Sequence, residues 1–109
     1  MDTEEFSYKT CPLYLIEFDL EEAKANRRFA KENLRNINDQ LTYTMPMLSS
    51  FEREHNLKHL EPYQLAYYLR TKSDAESLVS AKLGSEREIK QLTAKIKRLK
   101  STLKGRGVA

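Results

Sequence analysis

Between Ile89 and Leu103 the chain spaces Ile89, Ile96 and Leu103 at intervals of seven, with Leu92 and Leu99 forming a second series of the same period. Aliphatic residues recurring alternately at three and four positions form one narrow stripe on an α-helix, and such a stripe is buried against another helix. A β-branched residue at the first position with leucine at the second favours two-stranded packing, so this seam expects a single partner helix.

The same stepping, started at Leu20, passes through Ala23, Arg27, Ala30, Leu34, Ile37, Leu41, Thr44 and Leu48, broken chiefly at Arg27 and Thr44. Asp19 offers an N-cap, and Glu21 and Glu22 occupy a first turn that favours acids. Pro46 removes a helical hydrogen bond and clashes with the preceding turn. A long helix is therefore expected over 19–44, with Leu34, Ile37 and Leu41 in its seam.

Between the two seams, 45–72 reads as a cap of short helices. Ser49 and Glu52 form a capping-box pattern, and Glu61-Pro62 supplies a start with proline at the first helical position. Two further capping boxes, Ser73 with Glu76 and Ser85 with Glu88, lead into a long helix over 73–104 that either divides at Gly84 or tolerates it. The tail at 105–109 is expected to fray. At the other end, 1–18 is expected to be extended. Leu13 to Phe18 reads as a strand that pairs with Phe6 to Thr10, with another copy or with a partner, or lies as a strap on the helices. The expected fold class is mainly α: one domain, an antiparallel coiled-coil helical hairpin with short capping helices and an extended, strand-like N-terminal segment.

With 109 residues, of which 39% are hydrophobic and 32% charged, the chain makes one domain with a thin core and leaves little room for an enclosed active site. Its net charge of +3 is unevenly spread. Residues 1–22 carry seven acids and one base, and residues 90–106 carry seven bases and no acid. In an antiparallel pair the basic end meets the acidic beginning, which puts Lys95, Lys100 or Lys104 near Asp19, Glu21 and Glu22. Exposed pairs of this kind are worth about 0–1 kcal/mol each, enough to favour one orientation. The same stretch offers Lys90, Lys97, Arg98 and Lys104 on outward positions as contacts for nucleic acid.

No catalytic residue, cofactor or metal site is expected. Cys11 stands alone beside Pro12, with no disulfide partner and no base to activate it. His55 and His59 lie four apart but lack the acid that zinc proteases place after the first histidine. No glycine-rich phosphate loop is present, because the three glycines do not stand between a strand and a helix. A helix-turn-helix over Pro62 to Leu83 fits poorly, with Arg70 where the turn wants glycine and Glu76 where the second helix buries an aliphatic. The longest apolar run, Leu13 to Ile16, falls far short of the roughly 20 residues that cross a bilayer. The acidic Met1-Asp2-Thr3-Glu4-Glu5 start is unlike a signal peptide, so a cytoplasmic location without a membrane partner is expected.

Tyr43, Tyr63, Tyr67 and Tyr68 gather near the expected turn with Phe51, Met45 and Met47. Aromatic and methionine side chains are what protein interfaces favour. The sequence thus points to a small non-enzymatic adaptor, inhibitor or regulatory subunit that docks on a larger protein of unknown identity. Its anchors would be Tyr63 and Tyr67, with Leu13 and Leu15 on an added strand edge. The alternatives are a nucleic-acid-binding regulator using the basic C-terminal helix, and a structural module that homodimerises through Ile89 to Leu103.

Overall fold

The computed structural model describes residues 12–107, and these form two long helices, α1 over Leu13–Glu54 and α2 over Pro62–Gly105. The chain divides into two units, one made of the residues up to Lys31 together with those from Arg87 onward, the other of Glu32–Glu86.

In the first unit the opening turns of α1 pack on the closing turns of α2. The buried residues Ile16, Leu20 and Ala23 meet Ile96, Leu99 and Leu103, with Leu13 and Leu92 half-buried at the margin. Ile16 and Leu99 are wholly enclosed. The Ile89 to Leu103 seam thus finds its partner helix within the same chain. In the second unit the later part of α1 turns back through 55–61 into the first part of α2. Glu52 is bonded to Tyr68 and Asn33 to Ser85, so stepping back along α1 corresponds to stepping forward along α2, as in an antiparallel hairpin.

Burial follows one rule along both helices. On α1 the half-buried and buried positions include Leu13, Ile16, Leu20, Ala23, Arg27, Ala30, Leu34, Ile37, Leu41, Thr44, Leu48 and Phe51, an unbroken alternation of three and four that His55 continues just past the helix end. On α2 the series runs Gln64, Tyr68, Thr71, Ala75, Leu78, Lys82, Ser85, Ile89, Leu92, Ile96, Leu99 and Leu103. The seams extend beyond the aliphatic stretches, through polar residues that a hydrophobic count skips.

Several expected boundaries are corrected. Leu13 to Phe18 is helix, not strand. Pro12 precedes the first turn, where a missing N–H costs nothing, and its carbonyl accepts from the Leu15 N–H at 3.1 Å. Burying Leu13 and Ile16 on α2 outweighs the weak extended preference of the aromatics. The helix therefore starts before Asp19, and Asp19 is not its cap. Phe6 to Thr10 and Cys11 lie outside the described residues.

α1 also does not stop near Thr44, because Pro46 is exposed on the side away from the seam. Thr42, whose carbonyl loses its partner to Pro46, is itself exposed, so the lost hydrogen bond falls on the solvent side of the helix. Short capping helices over 45–72 are replaced by the end of α1, a turn and the beginning of α2. The start at Glu61-Pro62 is found as expected. The Glu61 N–H donates to Gln64 Oε1 at 2.9 Å, so the reciprocal cap is made by Gln64. The boxes at Ser73 and Ser85 lie inside α2 and begin nothing. Gly84 is tolerated on the exposed side, with nothing within 4 Å of where a Cβ would stand. Of the tail at 105–109, residues through Gly107 are described. Gly107, at φ 84°, donates to the Lys104 carbonyl at 3.1 Å and closes the helix in the left-handed conformation that glycine allows.

Candidate interaction surfaces

Starting α1 at Leu13 creates a second face that the strand reading hid. Leu15, Phe18, Glu22, Ala25 and Phe29 repeat the alternation of three and four on the side opposite the seam, with Tyr14 one position before Leu15. Phe18 is 64% exposed, Tyr14 68% and Phe29 75%, and Leu15 is also exposed. Tyr14, Leu15 and Phe18 group on one side of the opening turns, and Phe29 stands about 16 Å further along the same side; exposed apolar groups of this kind mark candidate interaction sites. Exposed Glu17, Glu21 and Glu22 lie beside or within this face. Glu21 holds Lys24 of its own helix at 3.3 Å.

Of the anchors expected from sequence, Leu15 belongs to this face. Leu13 does not, since it turns inward onto the core of the first unit. The exposure of Tyr14, Phe18 and Phe29 was not anticipated from the sequence. Tyr14 and Phe18 lie four apart and Leu15 and Phe18 three apart, a spacing that shows only when the helix is extended back to Leu13, whereas Phe29 stands eleven positions beyond Phe18.

Basic residues of the same unit line a shallow groove of about 340 Å³, with Arg27 on α1 facing Lys97, Lys100 and Lys104 on α2 and with Thr93, Ile96 and Ser101 between them. Arg27 is half-buried as a residue, and its guanidinium donates to Thr93 Oγ1 at 3.5 Å. Of the four expected nucleic-acid contacts, Lys97 and Lys104 line this groove. Lys90 shares their helix side one heptad earlier, and Arg98 points elsewhere. Arg27 and Lys100 join from positions that sequence reading had assigned to the seam and to a cross-helix ion pair.

The tyrosines at the turn of the second unit form a cluster that is largely structural. Phe51 stacks on His55 at 4.0 Å between ring centroids and on Tyr68 at 5.5 Å, and meets Tyr67 at 5.4 Å. The Tyr68 hydroxyl donates to Glu52 Oε2 at 3.1 Å, and Lys72 lies over its ring at 5.8 Å. Burial, followed by the Glu52 hydrogen bond and charge, pushes the Tyr68 hydroxyl above its ordinary 10.0, with Lys72 opposing. Tyr67 is half-buried, and with Met47 and Phe51 it lines an open groove of about 520 Å³. Tyr63 and Tyr43 stand exposed.

His55 is engaged by Phe51 on its ring face and at Nδ1, which lies 3.0 Å from the Phe51 carbonyl, whereas His59 is exposed. Among the described residues no three of His, Cys, Asp and Glu converge as metal ligands, and no helix is long and apolar enough to cross a membrane. Comparison with protein-family models, with curated proteins and with solved structures finds no match to this chain.

Proposed function

We propose that the chain is a non-enzymatic helical binding protein, an adaptor, inhibitor or regulatory subunit, whose coiled-coil hairpin presents the outward face of α1 to an amphipathic helix of a partner protein. The observation that carries this reading is the exposed series Leu15, Phe18, Ala25 and Phe29 with Tyr14, a second heptad-spaced stripe on a helix whose first stripe is already filled. Ala25 is the small residue between Phe18 and Phe29 on this stripe, leaving space over it for a side chain of the partner. The acids Glu17, Glu21 and Glu22 call for a partner helix with basic flanks. A second copy fits less well. Antiparallel self-pairing of this stripe sets Glu22 against Glu22, and the outer side of α2 in the same unit carries Arg87, Lys90, Lys97 and Arg98 rather than apolar residues.

The test places a benzoylphenylalanine photo-crosslinker at position 18 or 29, with position 39 as an exposed control, in the cells that encode the protein. Positions 18 and 29 should capture one heterologous protein through a helix with basic flanks, and Leu15→Glu should abolish the adduct. Equal adducts from position 39, adducts of the chain with itself alone, or no adduct would overturn the reading.

A further inference from the structure

We infer that the groove of the first unit is a second binding site, one that takes the sugar-phosphate backbone of a nucleic acid without reading its sequence. Four cations, Arg27, Lys97, Lys100 and Lys104, converge on a space of about 340 Å³, and no carboxylate stands among its described lining residues. Lys97, Lys100 and Lys104 supply about one cation per helical turn of 5.4 Å, a regular ladder suited to a strand that carries a charge on every residue. Thr93 and Ser101 place hydroxyls between the cations, and hydroxyls of this kind donate to phosphate oxygens. No aromatic stands among its described lining residues, which offer bases no stacking platform, so the backbone is what they hold.

An anionic membrane is a poorer fit. Interfacial helices insert apolar side chains among the headgroups. The apolar member of this groove, Ile96, is 3% exposed and is committed to the core.

The test measures anisotropy of a labelled, mixed-sequence single-stranded oligonucleotide against the full chain over a range of salt. Four contacts at about 0.7 counterions each predict that the logarithm of the association constant falls with that of salt at a slope of about −3. Lys97→Glu with Lys104→Glu should weaken binding by about tenfold or more and flatten the slope. Arg70→Glu with Arg87→Glu, an equal charge change at exposed sites outside the groove, should weaken it less than about threefold. Lys97→Gln with Lys104→Gln repeats the loss without introducing repulsion, and circular dichroism confirms that each variant folds. Three results would overturn the inference: equal weakening by both reversal pairs, equal competition by polyglutamate, or capture by phosphatidylserine vesicles without oligonucleotide binding.

Discussion

Leu99 and Phe29 are both large and apolar, yet one is wholly enclosed and the other is 75% exposed. Removing buried methyl groups loses transfer energy and leaves a cavity, so Leu99→Ala should cost about 2–5 kcal/mol. Phe29→Ala should stay within about 0.5 kcal/mol. Urea denaturation of the two variants checks this, and similar losses would contradict the assignment of one to the core and the other to a binding face. Tyr68 supplies a pH prediction. Its folded-state hydroxyl keeps its proton beyond the ordinary 10.0, so its contribution to stability is complete below that value and is lost as pH rises through the raised one. Urea midpoints followed through the alkaline range should fall, and Tyr68→Phe should make the fall shallower. An unchanged fall would mean that the bond to Glu52 carries no such linkage.

At the scale of the element, α1 and α2 each contain a residue that ought to interrupt them. Pro46→Ala restores an N–H for the Thr42 carbonyl on the exposed side and should stabilise the chain by about 1–3 kcal/mol. Gly84→Ala meets nothing within 4 Å and should add about 0.5–1 kcal/mol. Thermal melts of both variants check the signs, and destabilisation by either would show that the break is used. These two positions also explain what the sequence disclosed of the fold. The seams at Leu20 to Leu48 and Ile89 to Leu103 were legible because aliphatic spacing reports burial directly. Their continuation through Gln64, Thr71, Lys82 and Ser85 was not, because polar residues at seam positions carry no periodic hydrophobic signal. Proline and capping boxes were read as punctuation, although a proline facing water and a Ser-Glu pair inside a packed helix end nothing. Of the contacts expected from sequence, Leu15 is exposed and Lys97 and Lys104 line the groove. Phe18 was hidden by a helix start placed six residues late, Phe29 because a lone aromatic on the outer side of the expected helix makes no pattern there, and Arg27 by its seam spacing.

At the scale of the whole molecule, each unit pairs a stretch of α1 with a stretch of α2 from the same chain. That pairing gives the functional reading its logic. The seam is filled within the chain, which leaves the outer side of α1 exposed for the proposed partner helix and the groove beside Arg27 open for the proposed phosphate contacts. Exchange of helices between two chains would fill the seam differently and make the Ile89 to Leu103 stripe a dimerisation device. The most direct test replaces Cys11 with serine and introduces Arg27→Cys with Thr93→Cys, the residues joined across the first unit at 3.5 Å. A short bismaleimide is then added to dilute protein. Bridging within one chain, giving a faster-migrating species at the 12.8 kDa monomer mass, is the expected result. Bridging only between chains, with dimer as the sole cross-linked product, would contradict it.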